Sequence, residues 1–196
     1  MDEIDQCPKK QGLYDPNFEK GSCGVGFIAD INGKKTYDTV KNGLQILKNM
    51  SHRGATGADP DTGDGAGIMI QVPHEYYKSD LEKDNVVLPE PGEYGVGMIF
   101  FPMEPNARYF CEGICERIVE EEGQTVLAWR DVPVNDKACG VSAQGTRPIV
   151  EQLFIQNNES NEEEFNKKLY MIRKRIEAAI IDSTCKNKEM FFVCSL

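Results

Sequence analysis

Apolar positions recur at three- and four-residue spacing in several stretches of the chain, the period of a helix with one buried face. Over 38–51, DTVKNGLQILKNMS, this spacing puts Val40, Leu44, Leu47 and Met50 on one side, with Asp38 as the N-cap. Asn106–Glu122 carries Phe110, Ile114 and Ile118 four apart and predicts a second helix. From Asn161 a long helix is predicted with Phe165, Leu169, Ile172, Ile176 and Ile180 inward, and residues 75–82 predict a short one. Other apolar runs lack the helical period and predict strands: Cys23–Ile31, Ile68–Val72, Tyr94–Phe101, Thr125–Arg130, Ile149–Ile155 and Met190–Ser195. Asn32-Gly33, between Phe27–Ile31 and Lys35–Tyr37, carries the signal of a type I′ hairpin. Residues 132–148, VPVNDKACGVSAQGTRP, read as a loop. Helices and strands are mixed without strict alternation, which predicts a layered α+β fold rather than a doubly wound sheet.

Residues 1–22 differ from the rest. They are polar, contain Pro8 and Pro16, show no sustained period and read as a leader without a core of its own. The opening MDEIDQCPKK has no apolar centre and is no secretory signal. No apolar run approaches the roughly 18 residues of a membrane helix. The expected location is the cytoplasm, or the plastid stroma for a eukaryotic source.

Charge narrows the choice of partner. Lys plus Arg total 22 against 32 Asp plus Glu, a formal charge of −10, which argues against nucleic acid and anionic lipid. The 7 cysteines are an odd number, and without a secretory signal they read as reduced thiols rather than a disulfide framework.

Cys23 is the most informative residue with candidate chemistry. It stands where the leader ends and an apolar strand begins. A buried, inert thiol is the ordinary alternative. Cleavage between Ser22 and Cys23 would create an α-amino group with a pKa of about 8, able to act as a base on the residue that carries the nucleophile. The only histidines are His52 and His74. His52 sits where a cation suits a helix C-terminus, His74 reads as a surface or capping residue, and neither lies in a known Cys–His signature. Arg53, next to Gly54, would favour a thiolate if it lay near a thiol; the plainer reading is a surface arginine at a helix end.

The glycines of HRGATGADPDTGDGAG fit neither phosphate-loop pattern and run into a strand, so tight turns are the better reading. Cys111 and Cys115 lack further ligands at metal-site spacing and read as core residues. Glu120–Glu122 and Glu162–Glu164 read as solvated faces or helix-start charges.

The segment GLYDPNFEKGSCGVGFIADI, followed by NGLQILKNMSHRGATGADPDTGDGAGIMIQVPHEYY, resembles the class II glutamine amidotransferase domain at the start of glutamate synthase large subunits, an N-terminal-nucleophile (Ntn) hydrolase. LAWRDVPV, PIVEQLFI and YMIRKRIEAAI with FFVCSL extend the similarity over nearly the whole chain. The resemblance implies a four-layer αββα sandwich, incomplete on its C-terminal side. It implies residues 1–22 as a propeptide and residues 23–196 as the N-terminal part of the amidotransferase domain. Cys23 then matches the nucleophile that attacks the side-chain amide of L-glutamine, and Arg53 matches the arginine of the HRG turn beside it.

The implied partners are the remaining glutamate synthase domains. FMN and an iron–sulfur cluster are expected in those domains and no cofactor in this chain. The family's oxyanion-hole Asn-Gly and the groups that grip the substrate's α-carboxylate and amine come later in its domain and have no counterpart here. Little or no glutaminase activity is therefore expected from this chain alone. The alternatives are a non-catalytic fragment that serves as an interaction piece and an unrelated acidic α+β binding domain.

Overall fold

The structure, a computed structural model, describes residues 10, 12, 23–57, 59 and 61–196. The leader expected over residues 1–22 therefore lies outside the described residues, apart from Lys10 and Gly12. The chain divides into two compact units, Met1–Met69 and Ile70–Leu196.

In the first unit, residues 23–30 run without helix or strand into a turn and then into helix α1, Tyr37–Asn49. Thr36, not Asp38, caps α1: its side chain accepts from the Thr39 N–H at 3.2 Å, and Asp38 sits in the first turn. The inward face is Val40, Gly43, Ile46, Leu47 and Met50, half-buried, whereas Leu44 is turned outward. The predicted I′ hairpin is not formed. Gly33 N–H donates to Asp30 O at 2.9 Å, but only Gly33 has a positive φ, +70°, and a type I′ turn needs it at both central residues. Lys35–Tyr37 then leads into the helix instead of returning as a strand.

Cys23–Ile31 and Ile68–Val72 are not strands either. A strand exists through inter-strand hydrogen bonds, and the one pairing among the described residues of this unit is the isolated Thr56–Gly63 bridge. The run 23–31 nevertheless keeps a two-residue alternation. Gly24 and Gly26 face α1, while Val25, Phe27 and Ile31 are 85%, 93% and 98% exposed.

The second unit opens with helix α2, His74–Leu81, and holds a four-stranded antiparallel sheet. Its strands are β1 (Tyr94–Phe101), β2 (Thr125–Asp131), β3 (Ile149–Gln156) and β4 (Phe192–Ser195), in the order β2-β3-β1-β4. Helices α3 (Pro105–Glu121) and α5 (Glu162–Asp182) cover one face. The predicted loop at 132–148 contains a one-turn helix, α4, Val141–Thr146.

The core on the α3–α5 side takes Ile99 and Phe101 from β1, Leu153 and Ile155 from β3, and Val193 from β4. All five inward residues predicted for α5 are buried there. Gly95 lets α5 approach: a Cβ at this position would lie 2.8 Å from Leu169 Cδ1. The alternate residues Tyr94 and Phe154 face the other way and pack with Tyr77 and Leu81 of α2. Phe192 of β4, 55% exposed, stacks on Phe100 beyond that cover. The unit is thus α+β with helices on both sides of one sheet; the second sheet of a four-layer sandwich is not part of it.

Charge fastens the layers. Glu122, expected on a solvated face, receives Arg175 at 2.7 Å and Lys168 at 3.0 Å from α5, and these donors hold its carboxyl below the usual range. On the α2 side, Arg130 of β2 donates to Asp80 at 2.6 Å and Gln152 at 3.0 Å, and its guanidinium stacks 5.2 Å from the Tyr76 ring.

Glu151 of β3 is the least comfortable group, at 1% exposure. Asp131 is directly across the ladder from it. Arg108 of α3 touches the Glu151 carboxylate, but also donates to Glu112 at 2.7 Å and Asp131 at 3.3 Å, so one cation serves three anions. Burial, then the negative charge of Glu112, pushes the Glu151 carboxyl up to about 7.

Because this value is raised, the folded state keeps a proton that the unfolded state loses. Stability is therefore fully retained below the unfolded carboxyl value of 4.5 and falls as pH rises to about 7. Glu151→Gln removes that cost. In thermal or urea unfolding the variant gains roughly 1–3 kcal/mol over the parent between acidic and mildly alkaline pH. A difference that stays flat with pH refutes this account of Glu151.

Candidate functional site

The two candidate residues of the first unit are set by one close approach. The extended run 23–30 lies directly on α1 because residues 24 and 26 have no side chain. A Cβ on Gly26 would fall 2.5 Å from Ile46 Cγ2, and one on Gly24 would fall 2.9 Å from Met50 Sδ and 3.2 Å from Arg53 Cδ. The stem of Arg53 therefore lies against the backbone of Gly24, the residue joined to Cys23. The Cys23 thiol is free and exposed, at the head of the run. The inert alternative of a buried cysteine does not apply to it.

Arg53 owes its position to how α1 ends. Met50 closes the helix with its N–H on Ile46 O and Leu47 O, and Ser51–Arg53 continues as a 3₁₀ turn. Arg53 N–H donates to Met50 O at 2.9 Å and Gly54 N–H to Ser51 O at 3.1 Å. Gly54 itself is extended, with φ −85°, so the turn makes no use of glycine's freedom there.

The loop beyond is closed by Asp64, which sequence reading passed over. Its carboxylate accepts the Ala55 N–H at 2.9 Å, and its own N–H donates to Ala55 O at 3.0 Å. Gly63 has to be glycine at this closure, since a Cβ would sit 2.6 Å from Ala55 O. The glycine-rich stretch is thus folded on itself, in keeping with the tight-turn reading. Asp64 lies nine residues beyond Ala55, outside the span of a single turn, so local spacing offered no signal for it. Its partner is a backbone amide, which no residue pattern displays.

Both histidines have partners of their own. His52 Nδ1 is 3.0 Å from Asn49 O, a local contact at the end of α1. His74 is not at the surface as expected. It is 8% exposed and opens α2 with Nδ1 3.1 Å from the Tyr94 hydroxyl, because α2 packs its first turn on the sheet. Cys111 and Cys115 are fully buried in the core, as their spacing suggested. Among the described residues no three His, Cys, Asp or Glu side chains converge to hold a metal ion, and no helix is long and apolar enough to cross a membrane.

The Cys23 thiol is exposed, and the Arg53 stem packs on the residue that follows it. The family model of the class-II glutamine amidotransferases matches residues 23–196, so the match begins at Cys23. The chain is 45% identical over 174 residues to the glutamate synthase [NADPH] large chain of Bacillus subtilis (strain 168), covering 88% of this chain and 11% of that protein. It is 39% identical over 178 residues to ferredoxin-dependent glutamate synthase 2 of Synechocystis, covering 90% and 11%. With the glutamate synthase [NADPH] large chain of Azospirillum brasilense the identity is 38% over 185 residues, covering 93% and 12%. The chain thus spans about a tenth of the length of these relatives. With a match over 23–196 and these identities, the chain belongs to the class-II glutamine amidotransferases.

Proposed function

We propose that residues 23–196 form the N-terminal part of the glutaminase domain of a glutamate synthase, with Cys23 as nucleophile once residues 1–22 are removed. The observation that carries this reading is the packing of Gly24 on Arg53 next to Cys23, the residue where the family match begins. The sulfur of Cys23 attacks the side-chain amide carbon of L-glutamine. The α-amino group freed by cleavage takes the thiol proton and delivers it to the departing ammonia, leaving a thioester. Water then cleaves the thioester to glutamate and restores the thiol. Arg53 orients and polarises Cys23 across the Gly24 backbone, and Asp64 keeps the turn after Arg53 in place through Ala55.

In the whole enzyme the ammonia would aminate 2-oxoglutarate at a flavin site, with FMN and the iron–sulfur cluster held by other domains. Among the described residues no group of three His, Cys, Asp or Glu side chains could hold such a cluster. The cytoplasm or plastid stroma suits this role; one relative, from Arabidopsis thaliana, is named chloroplastic/mitochondrial.

A second reading, a non-catalytic piece that acts by association, is favoured by the outward row Val25, Phe27 and Ile31. It is distinguished by the state of the N-terminus.

Mass spectrometry of the protein purified from its own host is expected to find a chain that starts at Cys23. An electrophilic glutamine analogue is expected to label that residue and no other cysteine. Cys23→Ala abolishes the labelling, and Arg53→Gln slows it roughly tenfold or more. Labelling that survives Cys23→Ala, or an intact leader on protein that hydrolyses glutamine, overturns the proposal.

The isolated chain is expected to release ammonia from glutamine at least ~10²–10³-fold more slowly than a complete enzyme, the usual loss for one missing oxyanion donor. A rate equal to the complete enzyme's would show that the chain supplies those groups itself.

A further inference from the structure

Two thiols far apart in the chain meet within the second unit. Cys111 of α3 is fully buried, and its Sγ lies 3.7 Å from Sγ of Cys185, 74 residues further along. Cys185 belongs to the segment that follows α5 and keeps part of its surface open. Both are free thiols.

The approach is held from both sides. The Cys111 end is fixed by α3, whose C-terminal Glu121 and Glu122 are ion-paired to α5. At the other end, Cys185 N–H donates to Ser183 Oγ at 3.2 Å, and that hydroxyl donates to Ile180 O at 2.7 Å. Lys188 Nζ donates to Ser183 O at 2.9 Å and ties down the same turn. The Cys185 thiol donates to Lys186 O at 3.3 Å. Cys115, one turn along α3, is fully buried in the core among apolar side chains and is no competitor for an outside reagent.

We propose that Cys111 and Cys185 form a reversible disulfide that clasps α3 to the end of α5. A disulfide needs the sulfurs about 2.05 Å apart, so they close by less than ~2 Å, a movement within reach of the non-helical Cys185 side. The oxidant is a small-molecule disulfide. The Cys185 thiolate attacks one of its sulfurs, which breaks the small disulfide's S–S bond. A mixed disulfide forms on Cys185, and one small thiolate leaves and takes up the proton that Cys185 released.

The Cys111 thiolate then attacks Cys185 Sγ and breaks the mixed disulfide. The second small thiolate leaves and is protonated in turn. Two protein thiols lose two electrons and two protons, and the small disulfide is reduced to two thiols. The order follows from access, since only Cys185 reaches solvent. Burial, first of all, pushes the Cys111 thiol up to about 12, so the second step is the slower one and quickens as pH rises.

The test uses the folded 196-residue chain. It is exposed to oxidised glutathione at pH of about 8, quenched with an alkylating reagent and mapped by mass spectrometry. The expected product is lighter by two hydrogens, with a single cross-linked peptide pair that contains Cys111 and Cys185. Dithiothreitol reverses it. Cys185→Ser lowers the cross-linked fraction roughly tenfold or more. The triple variant Cys23→Ser, Cys139→Ser, Cys194→Ser, which keeps both thiols, retains it in full. Glutathione that stays on Cys185 without a cross-link refutes the proposal. So do a cross-link to another cysteine and a pairing that forms equally in the guanidinium-unfolded chain.

Discussion

For Gly24, the residue after Cys23, to pack on Arg53, a stretch of backbone has to lie on a helix at a distance no side chain would permit. The 2.5 Å between the Cβ position of Gly26 and Ile46, and the 2.9 Å between that of Gly24 and Met50, are closer than atoms can sit. The alternation of the run follows from this contact. Glycines meet the helix, and Val25, Phe27 and Ile31 are thereby turned to the opposite side. The candidate nucleophile lies at the head of this run, and the candidate guanidinium in the turn that ends the helix. Moving the run off α1 by the width of one methyl group would lift Gly24 off the Arg53 stem.

The second unit is built on a different principle. Its sheet is buried on the α3–α5 side by well-spaced apolar residues and fastened by ion pairs that reach across layers. The pairs are not equivalent. Glu122 takes two cations, Lys168 and an Arg175 shared with Glu121, and is held in its charged form, whereas Glu151 shares the single Arg108 with Glu112 and Asp131 and is pushed toward its neutral form. The same chemistry therefore stabilises one carboxylate and penalises the other, and the difference is the number of anions per cation.

Long amphipathic helices were legible in the sequence because their cores lie within the element itself. The five inward positions of α5 are spaced at three and four, and all are buried. Strands β1 to β3 were legible for the same reason, as each is apolar over its own length. The hairpin at Asn32-Gly33, the strands at 23–31 and 68–72, the Asp38 cap and a surface place for His74 were not correct. A hairpin or strand depends on what pairs with it. A cap depends on which of two neighbouring side chains reaches the free N–H. His74 is buried by α2 settling on the sheet.

The residue order by itself determined the α+β class and most of the helical core faces, and the family resemblance of motifs close in the chain proposed Cys23 and Arg53 as the site. Only the tertiary structure decided that Gly24 packs on the Arg53 stem, that Asp64 locks the turn through a backbone amide, and that Cys111 meets Cys185. The reason is physical. Periodicity records which side of an element is apolar, a property of neighbouring residues. Contacts between residues tens of positions apart depend on how elements pack, and close packing is settled by the shapes of all the side chains at once.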